Sequence, residues 1–66
     1  MKVNGKNIEL TSVSAKTVTD YLKILRINPG TVAIERNGEI LEREKWDKTH
    51  LAEEDKIEII KFVGGG

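Results

Sequence analysis

Two Asn-Gly pairs, Asn4-Gly5 and Asn37-Gly38, constrain the fold of this 66-residue chain more than any other feature of its sequence. An Asn-Gly pair readily adopts the two left-handed conformations of a type I′ turn, which connects adjacent antiparallel strands. Segments with alternating apolar and polar residues flank both pairs. Their apolar residues are Met1, Val3, Ile8 and Leu10 at the first pair, and Val32, Ile34 and Ile40 at the second. The sequence therefore predicts two β-hairpins, the first of them within residues 1–10.

A short helix is predicted between the hairpins. Thr17 and Asp20 have the spacing of a capping box, in which the two side chains bond free amides at the start of a helix. The apolar residues that follow recur at helical spacing and form one stripe, which consists of Val18, Tyr21, Leu22 and Leu25. We expect Asn28-Pro29-Gly30 to end the helix, because proline disfavours helical geometry in the residue before it.

The rest of the sequence predicts an irregular crossover and a final strand. Residues 41–54 are highly charged, and Trp46 and Leu51 are the expected core anchors within them. Asp55 then leads into a strand from Lys56 to Val63. A helix between two hairpins, followed by one more strand, favours an α+β domain with one helix packed on one sheet.

The last strand has large apolar residues on both of its faces. If Ile57 and Ile59 point toward the core, the alternation of side chains turns Ile60 and Phe62 to the opposite face. A glutamate on that opposite face indicates that it is wet, which leaves two apolar side chains uncovered. A β-bulge or a covering segment would remove this exposure. We favour a docking patch for a partner protein, formed by Ile60, Phe62 and Val63.

Three glycines, Gly64, Gly65 and Gly66, follow this docking patch. Because glycine has no side chain to pack, we predict a flexible glycine tail (residues 64–66) after a domain at residues 1–63. The reactive group of the tail is the α-carboxylate of Gly66, which is ionised at neutral pH. Four extended residues reach roughly 13 Å, which is enough to enter a partner's active site. An inert, disordered end is the alternative.

Composition argues against several classes of function. Eleven basic and eleven acidic residues balance, so the charge gives no reason to expect binding to nucleic acid or to an anionic membrane. The chain has no cysteine, which excludes disulfides, thiolate metal sites and a cysteine nucleophile. No apolar run reaches the roughly 20 residues of a membrane span, and the first residues lack the pattern of a signal peptide. We therefore expect a soluble, cytoplasmic protein.

The polar side chains indicate neither a catalytic centre nor a metal site. His50 is the single histidine, and a lone histidine in a charged segment is expected at the surface. We expect the acidic residues of the crossover to form a solvated rim rather than a cation site. These residues are Asp47, Glu53, Glu54 and Asp55. Arg43 and Glu44 are expected to form a local ion pair.

Four segments match a known family when they are taken together. They are MKVNGK at the start, TVTDYLKIL in the helix, VAIERNGEILEREKW in the second hairpin and crossover, and DKIEIIKFVGGG at the end. With them, the chain resembles the ThiS family of thiamine-biosynthesis sulfur carrier proteins over residues 1–66, although TSVSAK lacks a glycine that is often found before the helix. The resemblance implies a ubiquitin-like β-grasp fold, with one mixed sheet of four to five strands and one main helix packed on it.

The resemblance also implies a carrier function rather than catalysis. In this family an ATP-dependent, ubiquitin-activating-type (ThiF-like) enzyme adenylates the C-terminal glycine, which is Gly66 here. Sulfur from a cysteine-desulfurase-type source replaces AMP, and a ThiG-like thiazole synthase accepts it from the thiocarboxylate. Gly64 and Gly65 would accompany Gly66 into the partner's active site. The protein itself would bind no cofactor, because ATP and the sulfur donor are used by the partner enzymes.

Three other functions stay open from the sequence. The same tail would suit a sulfur carrier for molybdopterin synthesis or another pathway. It would also suit a ubiquitin-like protein modifier, since an adenylated glycine is able to react with a lysine. A β-grasp interaction module with inert terminal glycines is the third alternative.

Overall fold

The two Asn-Gly pairs form the turns that the sequence predicts. In the computed structural model, which describes residues 1–62, the φ angles are 51° at Asn4 and 82° at Gly5, and 54° at Asn37 and 87° at Gly38. Positive φ at both central positions is the geometry of a type I′ turn. The strands joined by these turns are β1 (Lys2–Val3) with β2 (Lys6–Asn7), and β3 (Val32–Arg36) with β4 (Glu39–Ile40).

The first hairpin is shorter than predicted. Ile8 still exchanges two hydrogen bonds with Met1, but the chain then enters a 3₁₀-helix at Leu10–Ser12 instead of continuing the strand. The side chain and the amide of Ser12 both donate to the carbonyl of Glu9, at 2.7 and 3.0 Å. A serine that bonds nearby backbone in this way offers the chain an alternative to a strand. Leu10 and Ile8 nevertheless pack against the core.

The α-helix, α1 (Val18–Ile24), begins where the capping box predicts. The amide of Asp20 donates to the Thr17 hydroxyl, and the amide of Thr17 donates to the Asp20 carboxylate, both at 3.2 Å. The amides of Lys16 and Thr17 both donate to the Asp20 carboxylate, and these two bonds are the main cause of its lowered pKa. Val18 and two further stripe residues, Tyr21 and Leu22, are buried as expected.

The helix ends earlier than predicted, and Leu25 at its end lies outside the core. Arg26, not the Asn-Pro-Gly segment, ends it, because Arg26 adopts a left-handed conformation with a φ of 57°. The amide of Arg26 donates to the carbonyl of Lys23, and that of Ile27 donates to the carbonyl of Leu22. This pair of bonds is a Schellman motif. Leu25 is 41% exposed and is not part of the buried stripe.

The last strand, β5 (Lys56–Lys61), lies in the middle of a five-stranded mixed sheet with the order β2-β1-β5-β3-β4. It runs parallel to β1 and antiparallel to β3. The strand was expected to extend to Val63, but it ends at Lys61 and does not include Phe62, whereas Val63 lies outside the described residues. The core lies between α1 and one face of this sheet. Its buried residues are Met1, Val3, Ala15, Val18, Tyr21, Leu22, Val32, Ile34, Trp46 and Ile57.

Trp46 anchors the crossover as predicted, but Arg43 does not act as predicted. The indole N–H of buried Trp46 donates to the carbonyl of Leu41 at 2.9 Å. The guanidinium of Arg43 lies 4.8 Å from the centre of the Trp46 ring and donates to the carbonyls of Pro29 and Val32. Arg43 therefore holds the crossover against the start of β3, which replaces the expected local ion pair with Glu44. Leu51, the second expected anchor, is half-buried against the core.

Candidate functional site

Strand β5 turns its apolar residues to both sides of the sheet, as the alternation predicts. Ile57 is 3% exposed and Ile59 packs against the core, whereas Ile60 is 41% and Phe62 is 56% exposed. The register between β3 and β5 runs without interruption, so no bulge shifts the alternation. The sheet is covered by α1 on its inner face, and Ile60 and Phe62 lie on its outer face.

The outer face changes in character along β5, from basic to acidic to apolar. Successive cross-strand pairs on this face are Lys2 with Lys56, Glu35 with Glu58, and Ala33 with Ile60. Like charges directly opposite each other across strands are unfavourable, typically by a fraction of a kcal/mol. Two such pairs in succession add nothing to the stability of the sheet. The arrangement is the kind expected for a surface that recognises a complementary partner.

The described part of the docking patch ends at Phe62. The Phe62 amide donates to the carbonyl of Thr31 at 3.0 Å, which continues the pairing with the chain before β3. Val63 and the glycine tail, including the predicted acceptor Gly66, lie outside the described residues. The docking role of Ile60, Phe62 and Val63, and the modification of Gly66, stay predictions.

Sequence reasoning missed one residue of this face, Ile40. It pairs with Glu35 and is therefore on the same side of the sheet as Ile60, with its side chain exposed. The signal was present in the sequence. A two-residue turn at Asn37-Gly38 places Glu35 opposite Ile40, and Glu35 is two residues from Ala33 on the same face.

The polar residues form no metal site within residues 1–62, where no group of three or more metal-binding side chains comes together. His50 is at the surface, as predicted. Asp47, Glu53 and Glu54 are exposed, but Asp55 is only 4% exposed, which corrects its assignment to a solvated rim.

Asp55 is held at the start of β5 by three hydrogen-bond donors. The Ala52 amide donates to it at 2.9 Å, and the side chains of Arg36 and Asn37 each donate at 3.1 Å. Burial raises the pKa of the Asp55 carboxyl, but these donors outweigh burial, so the net shift is downward. Asp55 thus acts as a structural anion that joins the crossover, β3 and β5.

Within residues 1–62, no helix has the length and apolar character that a membrane span requires.

Comparison with known proteins gives one consistent result. The model of the ThiS family matches residues 1–66. The sulfur carrier protein ThiS of Bacillus subtilis is 35% identical over 66 residues, which cover 100% of this chain and 98% of that protein. A thiazole synthase of Magnetococcus marinus is 32% identical over 66 residues, which cover 100% of this chain but 20% of that protein.

A solved structure agrees with these sequence relatives. The crystal structure of the thiamine biosynthesis protein ThiS from Geobacter metallireducens matches with a TM-score of 0.80 and 38% sequence identity, over 98% of this chain and 96% of that chain. Together with the five-stranded mixed sheet and the one α-helix within residues 1–62, this match confirms the ubiquitin-like β-grasp fold. The chain belongs to the ThiS family, the sulfur carriers of thiamine biosynthesis.

Proposed function

We propose that this protein transports sulfur as a thiocarboxylate on Gly66 and is a substrate of other enzymes rather than a catalyst. The Gly66 carboxylate attacks the α-phosphate of ATP in an activating enzyme and releases pyrophosphate. The terminal sulfur of a donor persulfide then displaces AMP from the carbonyl carbon, and a thiol reduces the resulting acyl disulfide and releases the thiocarboxylate. Adenylation is needed because a carboxylate is a poor electrophile, and AMP is a far better leaving group than oxide.

One observation is the main support for this proposal. Ile60 and Phe62 are exposed on the outer face of β5, directly before the sequence reaches the glycine tail. A partner that binds this face receives the tail next to the surface that it recognises. Burying the two side chains yields about 1.5–3 kcal/mol each. Ordering three glycines costs about 1–2 kcal/mol each, so the two terms roughly cancel. The like-charge pairs of the outer face, Lys2 with Lys56 and Glu35 with Glu58, must therefore contribute to binding as well.

We propose three partners of defined chemistry, all in the cytoplasm. The first is a ThiF-like activating enzyme that uses ATP, the second a cysteine-desulfurase-type sulfur source, and the third a ThiG-like thiazole synthase that accepts the sulfur. The thiazole synthase of Magnetococcus marinus supports the third partner, because a segment similar to this whole chain makes up 20% of that protein. A carrier segment within the synthase chain fits a direct transfer between the two.

Intact mass spectrometry after incubation with ATP, the activating enzyme and a sulfur donor tests the proposal. Replacement of one carboxylate oxygen by sulfur adds about 16 Da, and fragmentation should place the added mass on Gly66. A variant without Gly65 and Gly66 serves as the control and should show no added mass. When thiazole synthase is added to the modified wild-type protein, it should accept the sulfur and restore the original mass.

Other outcomes would contradict the proposal in different ways. Added mass that fragmentation of the wild-type protein places on a residue other than Gly66 would exclude Gly66 as the acceptor. Thiocarboxylate that thiazole synthase leaves intact but molybdopterin synthase consumes would assign the protein to the other pathway. High-molecular-weight adducts in a cell extract would instead identify a protein modifier.

A further inference from the structure

Two asparagines bond the backbone of strand β5 through their side-chain amides. Asn37 bonds the start of the strand, and Asn4 bonds its second half. The Oδ1 of Asn37 accepts from the Lys56 amide at 2.9 Å, at the start of the strand. The Oδ1 of Asn4 accepts from the Ile59 amide at 2.7 Å, and its Nδ2 donates to the Ile59 carbonyl at 3.3 Å. Each asparagine is the first central residue of a type I′ turn. The same residue in the same kind of turn therefore bonds β5 at two different positions.

The Asn4 side chain replaces backbone hydrogen bonds that are missing between β1 and β5. Strand β1 ends at Val3, and the Asn4 amide donates to the Ile57 carbonyl at 2.9 Å. In a continuing parallel pair, the backbone of the next residues would bond to Ile59. The turn leads the backbone away, and the Asn4 side chain makes both bonds instead. Beyond it, this edge of β5 faces an open groove of about 590 Å³ that Lys61 also lines.

Support for the end of β5 therefore comes from two sides. Strand β3 and the residue before it hold one edge, through the pairing of Ala33 with Ile60 and the bond from Phe62 to Thr31. Asn4 provides the last hydrogen bonds on the opposite edge within the described residues. Without these bonds, the strand would be held from one side along the segment that contains the exposed apolar residues.

We propose that Asn4 is a positioning residue that fixes the orientation of β5 from Ile59 to Phe62 and so presents Ile60 and Phe62 of the docking patch to the activating enzyme. This inference rests on the proposed function. It assigns to Asn4 a task that Asn37 does not have, because Asn37 acts on the opposite end of the strand, where its Nδ2 donates to the Asp55 carboxylate.

Asparagine suits this position because two requirements coincide there. A φ of 51° is strained for most residues but accessible to asparagine, aspartate and glycine. The Ile59 backbone requires one acceptor and one donor on the same short side chain, which only the amide of asparagine supplies among these three. Glycine keeps the turn and removes both bonds, whereas aspartate keeps the acceptor and removes the donor.

The test compares Asn4→Gly with Asn37→Gly, which make the same change in the same type of turn. In ATP-dependent adenylation by the activating enzyme, we expect the KM for the Asn4→Gly protein to rise about five- to tenfold, the size of effect that one to two lost hydrogen bonds produce. The kcat should be unchanged, and Asn37→Gly should keep the wild-type KM at a temperature where both variants are folded. Asn4→Asp should give an intermediate KM, and it replaces Asn4→Gly if that variant does not fold.

Hydrogen exchange of the Phe62 amide is the second measurement, because Phe62 bonds to Thr31 and not to Asn4. Its exchange should accelerate in Asn4→Gly beyond any change at Lys56, and not in Asn37→Gly. Equal KM increases in both variants, or Phe62 exchange that merely follows global stability, would overturn the inference. If the wild-type protein is not adenylated at all, the proposed function fails, and the exchange measurement alone decides whether Asn4 fixes the strand.

Discussion

The inner and outer faces of strand β5 contain the same kind of side chain in opposite surroundings. Ile57 is 3% exposed in the core, whereas Ile60, three residues later, is 41% exposed on the outer face. The difference arises because α1 covers one face of the sheet and nothing in residues 1–62 covers the other. A sequence of alternating side chains thus places core residues on the inner face and the predicted docking patch on the outer face. Substitutions on the two faces should have separable effects.

The inner face should respond most strongly, and Ile57→Ala tests it. Truncating a buried isoleucine removes apolar contacts and leaves a cavity, so we expect the free energy of unfolding to fall by about 2–4 kcal/mol. That is a large part of the total for a domain of this size, which is expected to be about 3–10 kcal/mol. Urea unfolding followed by the fluorescence of Trp46 measures it. A loss below about 1 kcal/mol would show that Ile57 is not in the core.

The start of β5 should respond next, through Asp55→Asn. Losing the anion that three donors share should cost about 1–3 kcal/mol near pH 7. Because the folded-state pKa of Asp55 is lowered, its contribution is complete above the ordinary carboxyl pKa and is lost as the pH falls through the folded value. The difference between wild type and variant should therefore shrink on acidification.

Urea unfolding between neutral pH and about pH 3 measures this dependence, a range that includes the ordinary carboxyl pKa. Asp47→Asn is the matched control, since Asp47 is exposed and accepts one bond, from the Thr19 hydroxyl. It should change the free energy of unfolding little, because Asp47 is exposed. A difference between wild type and Asp55→Asn that stays constant on acidification would rule out a lowered pKa for Asp55.

The outer face should affect binding rather than folding. Ile60→Glu and Phe62→Glu should each change the free energy of unfolding by no more than about 0.5 kcal/mol. Each should weaken association with the activating enzyme about tenfold or more, because a charge replaces a side chain at the centre of the docking patch. Titration calorimetry measures the association.

Leu25→Glu is the control for Ile60→Glu. Leu25 has the same exposed fraction, 41%, but lies at the end of α1 on the other side of the sheet. It should leave both folding and association unchanged. Equal loss of association in the two variants would indicate a general charge effect, and unfolding of Ile60→Glu would mean that Ile60 belongs to the core.

The like-charge pairs of the outer face should have the smallest effect on stability. Glu35→Lys converts the like-charge pair with Glu58 into an opposite-charge pair, which should stabilise the fold by about 0.2–1 kcal/mol. The double variant Glu35→Lys/Glu58→Lys restores like charges and should lose that gain. Thermal unfolding of these proteins, together with the single variant Glu58→Lys, completes and measures the double-variant cycle. Stabilisation that persists in the double variant would show that the pair does not interact.

Much of the fold follows from local signals in the sequence. Both type I′ turns, the capping box and the alternation in β5 were predicted, because each depends on residues close together in the chain. The predictions that were wrong had local causes at the first hairpin and at the end of the helix, and distant partners elsewhere. Leu25 fits the helical stripe, but the Schellman motif at Arg26 ends the helix before the stripe is complete.

Predictions about the candidate site and its surroundings also succeeded where they depended on one strand and were wrong where they depended on contacts between elements. The exposed position of Ile60 followed from counting along one strand, whereas the burial of Asp55 depended on donors from β3 and the crossover. Arg43 was assigned to its neighbour in sequence, but its contacts are the Trp46 ring and two carbonyls that precede or begin β3. Charged side chains are long, so their partners are set by the packing of elements and not by sequence spacing.

The sequence by itself determined the two turns, the start of the helix and the alternation of β5, because dihedral preferences and side-chain alternation act over a few residues. Tertiary structure alone decided that β5 lies in the middle of the sheet, parallel to β1, and that the Asn4 side chain completes their pairing. Those features join residues more than fifty positions apart. Such contacts form only when the whole sheet assembles, since the entropy of closing so long a loop must be repaid by many contacts at once.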